Sequence, residues 1–276
     1  MHKSLLVLGV LLVAQSSLGA VEYDFRQTTS SQIEAVPSAD FTGHAVIDGA
    51  RYRVDFKSGN FANPGVYLIS TNAARNQVWV DPVKKQYIEV DAGGVAGVLG
   101  TTNLTFSNKK IDLVTRDDHP TIAGVVTDHY TLNISFDITL HMGALPITQS
   151  VTEVIDKWTT TAFGDISESF VSAGALKTNN AALDDLISQE TTRIKGFALK
   201  QTASITTTSQ TLAPNSQLKI PRTVNQQSAF EITSIGPKPV VSADLFVIPM
   251  GYIKARPIEA DGEAVNRTVT LEPARN

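Results

Sequence analysis

The sequence predicts a mainly β (α+β) protein: a single strongly curved antiparallel sheet, a half-barrel, with a helix and a flexible segment on its concave side. Three observations carry that prediction. Segment after segment alternates apolar and polar residues with a period of two, which sends one set of side chains to each face of a sheet. Turn residues recur at short intervals between those segments. Helical spacing is scarce, so a sheet with one dry face must bury it either by folding on itself as a sandwich or barrel or by curling into a cup.

In the N-terminal third, Val21, Tyr23 and Phe25 alternate with Glu22, Asp24 and Arg26, and Tyr52, Val54 and Phe56 alternate with Arg51, Arg53, Asp55 and Lys57. Asp48-Gly49 between Ile47 and Tyr52 is the signature of a tight hairpin. Asn63-Pro64-Gly65 turns the chain into a strand at Val66 to Ser70, and shorter strands follow at Gln77 to Asp81 and Gln86 to Val90. The stretch from Ala92 to Gly100 is apolar, uncharged and glycine-rich, and reads as a flap or a weak helix.

Beyond it, Ile111 to Arg116 and Thr121 to Val126 each read as one strand around the turn Asp117-Asp118-His119-Pro120. Leu132, Ile134, Phe136, Ile138 and Leu140 then alternate without a break against polar residues, and a return strand runs from Ile147 to Trp158. The helical pattern starts near Asn180, with Ala182, Leu183, Leu186 and Ile187 on one side and Asp184 and Asp185 in the first turns, and Lys195-Gly196 closes it. Strands resume at Phe197 to Ile205, in a ribbon rich in Thr and Ser, and continue at Phe230 to Ser234 and Leu245 to Ile248. The segment 257–276 reads as a disordered tail.

Composition removes whole classes of function. The 276 residues carry 23 Lys and Arg against 27 Asp and Glu and no Cys, so disulfides, thiolate nucleophiles and Cys-held metals are excluded, and a basic nucleic-acid binder is not supported. Residues 1–20 combine Lys3, an apolar run from Leu5 to Ala14 and the small residues Ser16, Ser17, Gly19 and Ala20, the grammar of a secretory signal peptide. The expected organisation is therefore a signal peptide over 1–20, one domain over 21–256 and the tail. The mature chain offers no apolar run long enough to be a transmembrane helix, so the protein is expected to be soluble, in the periplasm or outside the cell.

Several motifs together resemble the LolA-like superfamily of periplasmic proteins, closest to a branch known only as a domain of unknown function. They are Ala50-Arg51-Tyr52-Arg53-Val54, Val66-Tyr67-Leu68-Ile69, Gln77-Val78-Trp79-Val80-Asp81-Pro82, Lys85-Gln86-Tyr87-Ile88-Glu89-Val90, Ile122-Ala123-Gly124 with His129-Tyr130-Thr131-Leu132, Gly196-Phe197-Ala198-Leu199-Lys200, and Leu245 to Tyr252. The resemblance implies an incomplete antiparallel barrel closed by helices, whose apolar cavity carries acyl chains between membranes. The sequence departs from that pattern in having little helix near its N-terminus and a longer insertion around 159–195.

No motif assembles a catalytic centre. Asp117, Asp118, His119, Asp128 and His129 flank a turn and supply metal-type donors, yet turn chemistry accounts for the first of these without a metal. Gly94, Gly97 and Gly100 lack the Lys-Ser/Thr that a phosphate loop needs, and neither a Gly-x-Ser-x-Gly elbow nor a His-Glu-x-x-His pair is present. The expectation is a non-enzymatic protein with no cofactor and no metal. Its function is to hold a lipid or other apolar ligand in a β-cup lined by Phe25, Tyr52, Val54, Phe56, Leu68, Leu132, Ile134, Phe136, Ile138 and Leu199. The alternative is a structural or partner-binding envelope protein with the same residues as a filled core. The partners expected are an apolar small molecule or acyl chain and an envelope protein.

Overall fold

A computed structural model describes residues 19–32, 38–71, 76–91, 104–142, 145–164, 166, 185, 188–189, 192–209 and 223–255. The strands are β1 (Ala20–Ser31), β2 (Ala39–Asp48), β3 (Arg51–Gly59), β4 (Tyr67–Ser70), β5 (Asn76–Asp81), β6 (Gln86–Asp91), β7 (Leu104–Thr115), β8 (Thr121–Ile122), β9 (Val125–Val126), β10 (Asp128–Met142), β11 (Leu145–Thr160), β12 (Phe197–Ser209), β13 (Thr223–Lys238) and β14 (Ile253–Lys254). Twelve of them form one sheet in the order β14-β6-β5-β4-β3-β2-β1-β13-β12-β11-β10-β7. Every pairing in it is antiparallel except that of β14 with β6.

Local chemistry explains the two meanders. Gly49 takes φ 61° and makes the β2–β3 hairpin, as the Asp-Gly pair predicts. Asp81 makes an Asx turn, its Oδ1 accepting from the N–H groups of Val83 and Lys84, both at 3.0 Å, which returns β5 into β6. β1 lies in the middle of the sheet, paired on one side with β2 and on the other with β13. Val21, Tyr23 and Phe25 thereby meet Ile47, Ala45 and Gly43 across one ladder, and Tyr23 and Phe25 meet Ile235 and Ile232 across the other. A Cβ at Gly43 would come within 2.6 Å of the Phe25 ring, so this glycine is what lets the ring approach β2 so closely.

Several expectations need correction. The sheet is open and not strongly curled: its edges, β7 and β14, do not pair with each other. The two arms cannot close because they differ in length, β4 to β6 having four to six residues and β10 to β13 thirteen to sixteen. Thr121 to Val126 is a two-stranded hairpin rather than one strand, since Ala123 (φ 49°) and Gly124 (φ 81°) both lie in the left-handed region and reverse the chain. Leu245 to Ile248 is not a strand. Its first residues belong to a 3₁₀ turn, Ala243–Phe246, capped by Ser242, whose side chain accepts from the Asp244 N–H. The glycine-rich segment 92–100, the tail 257–276, most of the signal segment and nearly all of the helix expected near Asn180 lie outside the described residues.

The core-side face of β1 to β6 and the adjoining ends of β12 and β13 are packed into one cluster. Among the described residues, its cover is the β8–β9 hairpin through Ile122, Ala123 and Val125, the β3–β4 loop through Phe61 and Ala62, and single residues such as Ile166 and Ala255. Among the described residues no α-helix contributes to that cover, and nearly all of the helix expected on a concave side lies outside them. The short strand β4 is buried on both faces, because Ile248 and Tyr252 pack against Tyr67, Ile69 and Val80 on the other side. That double burial is why Tyr67 to Ile69 reads as an unbroken apolar run rather than an alternating one.

Candidate functional site

The ten residues expected to line a cavity share the core-side face of the sheet but divide into two groups. Phe25, Tyr52, Val54, Phe56, Leu68 and Leu199 belong to the packed cluster, each no more than 2% exposed. Phe56 stacks on Trp79 with ring centroids 5.3 Å apart, and Phe25 meets Phe41 edge-on at 6.2 Å and Phe230 at 5.5 Å. Burial pushes the Tyr52 hydroxyl up to about 12, as expected where water is absent. Here the apolar face is filled by the protein's own rings.

Leu132, Ile134, Phe136 and Ile138 lie on β10, outside that cluster. Leu132 and Ile134 are buried, whereas Phe136 and Ile138 are only half-buried. Register places further apolar residues beside them on the same face. Leu113 and Ile111 of β7 oppose Leu132 and Ile134, and Phe106 opposes Ile138. Ile155 and Val151 of β11 oppose Leu132 and Phe136, and Ile205 of β12 lies beyond Glu153. Phe106 and Phe136 are in ring contact at 5.8 Å. Ile111, Leu113, Phe106, Ile155 and Ile205 were not among the residues expected to line a cavity. Their signal was present as alternation in β7 and β11, but membership of one surface required the strand order.

Glu153 stands inside this apolar stripe. Glu153 opposes Ile134 on one side and Ile205 on the other, and burial raises its carboxyl above the ordinary range.

The opposite face of the sheet is polar and closely paired. Arg26 holds Asp40 with two hydrogen bonds, from Nε at 3.0 Å and from Nη2 at 2.7 Å, and Lys200 pairs with Glu231 at 3.1 Å. His129 lies between Asp118 (Nδ1, 2.8 Å) and Asp156 (Nε2, 3.2 Å) and stacks on Trp158 at 4.4 Å. The His129 bond holds the Asp118 carboxyl below its usual range. Thr131 donates to Asp156 at 2.6 Å while accepting from Arg116 Nε at 2.8 Å. His119 pairs with Asp128 at 3.3 Å. Of the donors that sequence spacing suggested for a metal, Asp118, His119, Asp128 and His129 are engaged in His–Asp contacts, and among the described residues no group of three or more His, Asp or Glu converges as metal ligands. On this same face lies a groove of about 520 Å³, to which sequence reasoning did not point.

No family model and no curated protein matches the chain. Among solved structures, it is similar to the crystal structure of a LolA superfamily protein from Nitrosomonas europaea. The match covers 84% of this chain and 91% of that one, at 10% sequence identity and a TM-score of 0.31. Among the described residues no helix is long and apolar enough to cross a membrane.

Proposed function

We propose that this chain is an exported, non-enzymatic binding or carrier protein. Its ligand is an acyl chain or another apolar molecule, held on the core-side face where β7, β10, β11 and β12 run past the packed cluster. The observation that carries the reading is the change in burial along one face. Phe25, Tyr52, Phe56, Leu68 and Leu199 are sealed, while Phe106, Phe136, Ile138, Ile155 and Ile205, on the same side of the same sheet, remain half-buried. Each methylene of a ligand laid there gains about 0.8 kcal/mol on leaving water, so a medium-length chain needs no ionic contact to bind. Export rests on the signal-type residues 1–20. Of the ten residues expected to line the site, Leu132, Ile134, Phe136 and Ile138 are the ones this reading retains as ligand contacts. The filled cluster under β1 to β6 favours, for that half of the molecule, a purely structural role or one in binding an envelope partner.

The test is native mass spectrometry of the mature protein purified from its own periplasm, followed by organic extraction of whatever is released. The expected result is a defined acyl-bearing adduct that Phe136→Arg eliminates while leaving the circular dichroism spectrum unchanged, since a half-buried site tolerates a charge that a sealed core would not. A mass that stays that of the bare chain, before and after incubation with membrane lipids, overturns the carrier reading.

A further inference from the structure

We infer that the groove on the polar face of the sheet is a binding site for a neutral oligosaccharide. This inference is independent of the apolar-ligand reading, which concerns the other face. Nine of the groove's fifteen lining residues stand in two consecutive rows, crossing five strands and four, while Thr29, Ala39, Ala203 and Ser228 lie at the alternate positions between them. In the first row, Asp40, Thr28, Ala229, Thr202 and Asp156 stand side by side on β2, β1, β13, β12 and β11. In the second, Ser30, Gln227, Ser204 and Val154 do the same on β1, β13, β12 and β11. Ser38 and Asn60 complete the end beside Asp40, with Asn60 Oδ1 accepting from the Asp40 N–H at 2.9 Å and Asn60 Nδ2 donating to the Ser38 carbonyl at 2.8 Å. Four interstrand spacings make this floor roughly 19 Å long, enough for several linked sugar rings.

The donor and acceptor inventory selects the ligand. No Lys or Arg lines the groove, which argues against an anion. Its two carboxylates already have hydrogen-bond partners, Asp40 the bidentate Arg26 and Asp156 the Thr131 hydroxyl and the His129 ring. An extended peptide pairs at a sheet edge, and these five strands have both edges hydrogen-bonded to neighbours. The hydroxyls of Thr28, Ser30, Thr202 and Ser204 and the Gln227 amide make no side-chain hydrogen bond among the described residues. One row further along the same face, by contrast, Thr206 is bonded to Asn225 at 2.9 Å. A hydroxyl both donates and accepts, so a row of them matches a molecule that presents hydroxyls in either sense. Val154 and Ala229 offer apolar spots between them for the C–H side of a ring.

The test is isothermal calorimetry of the full mature chain with maltotriose, cellotriose and triacetylchitotriose. Saturable binding of at least one of them is expected, unchanged between about 50 and about 500 mM NaCl because no ion pair forms. Thr28→Val and Thr202→Val are each expected to weaken it about fivefold, the loss of one hydrogen bond. Thr152→Val, on the same face but outside the groove, leaves it intact, and so does Phe136→Arg on the other face. The Thr→Val substitutions keep the β-branched shape, and an unchanged melting temperature verifies the fold. The inference is overturned if none of the three sugars binds, if binding falls steeply with salt, or if the Thr28→Val, Thr202→Val double variant binds as the parent does.

Discussion

Replacing Leu199 by Ala tests whether the apolar face is solid where the structure says it is. Leu199 is 0% exposed within the cluster that holds Tyr23, Phe25 and Phe197. Truncation there removes about three carbons at about 0.8 kcal/mol each and leaves a void that close-packed rings cannot fill, so the expected cost is about 3 to 4 kcal/mol. Ile138→Ala removes a similar number of carbons from a half-buried side chain, and water can enter the space it leaves, so the expected cost is about 1 kcal/mol. At about 2 to 4 °C per kcal/mol for a domain of this size, the first variant melts about 6 to 16 °C lower and the second about 2 to 4 °C lower. The assay is urea denaturation of the mature chain followed by tryptophan fluorescence, since Trp79 reports from the packed cluster and Trp158 from its stack on His129. The midpoint should shift while the slope stays constant. If Leu199→Ala costs no more than Ile138→Ala, the interior under β1 to β6 is roomy rather than filled. The division of the face into a sealed half and a binding half then fails.

Two further predictions follow from single residues. Glu153 has its carboxyl raised by burial, so above its ordinary value of 4.5 the folded chain holds a proton that the unfolded chain has released. That contribution to stability is present at low pH and is lost as pH rises through the raised value. Glu153→Gln should therefore flatten this part of the stability profile and exceed the parent at about pH 8. Identical profiles in a pH series of denaturation midpoints would contradict it. Gly59 has φ 113°, and a Cβ there would stand 2.1 Å from the Asp40 carbonyl oxygen, so Gly59→Ala should cost at least about 2 kcal/mol by combined strain and overlap. A melting temperature within 2 °C of the parent's, about 1 kcal/mol or less, would show that the β2–β3 ladder relaxes around it.

Most strands were legible in the sequence because period-two alternation is a local property. β1, β2, β3 and β10 could be placed from their own side chains, and the Asp48-Gly49 hairpin from two residues. Local patterning misled where the decisive event was also local but of a different kind. The reversal at Ala123-Gly124 breaks an apolar run that reads as one strand, and the Ser242 cap turns another run into a 3₁₀ turn.

By itself, the sequence determined the class of the protein: mainly β, free of cysteine chemistry, one face of the sheet dry and the other wet, with a signal-type start. Tertiary structure alone decided what the dry face meets. Alternation states on which side a residue lies, and the same pattern serves Phe56, sealed against Trp79, and Ile138, left half-open. The groove was invisible for the same reason. Thr28 and Ala229 lie 201 positions apart in the chain and side by side in the sheet, and only the pairing of β1 with β13 makes them neighbours. Pairing of that range depends on the whole ladder and the burial it permits, and no short stretch of residues encodes it.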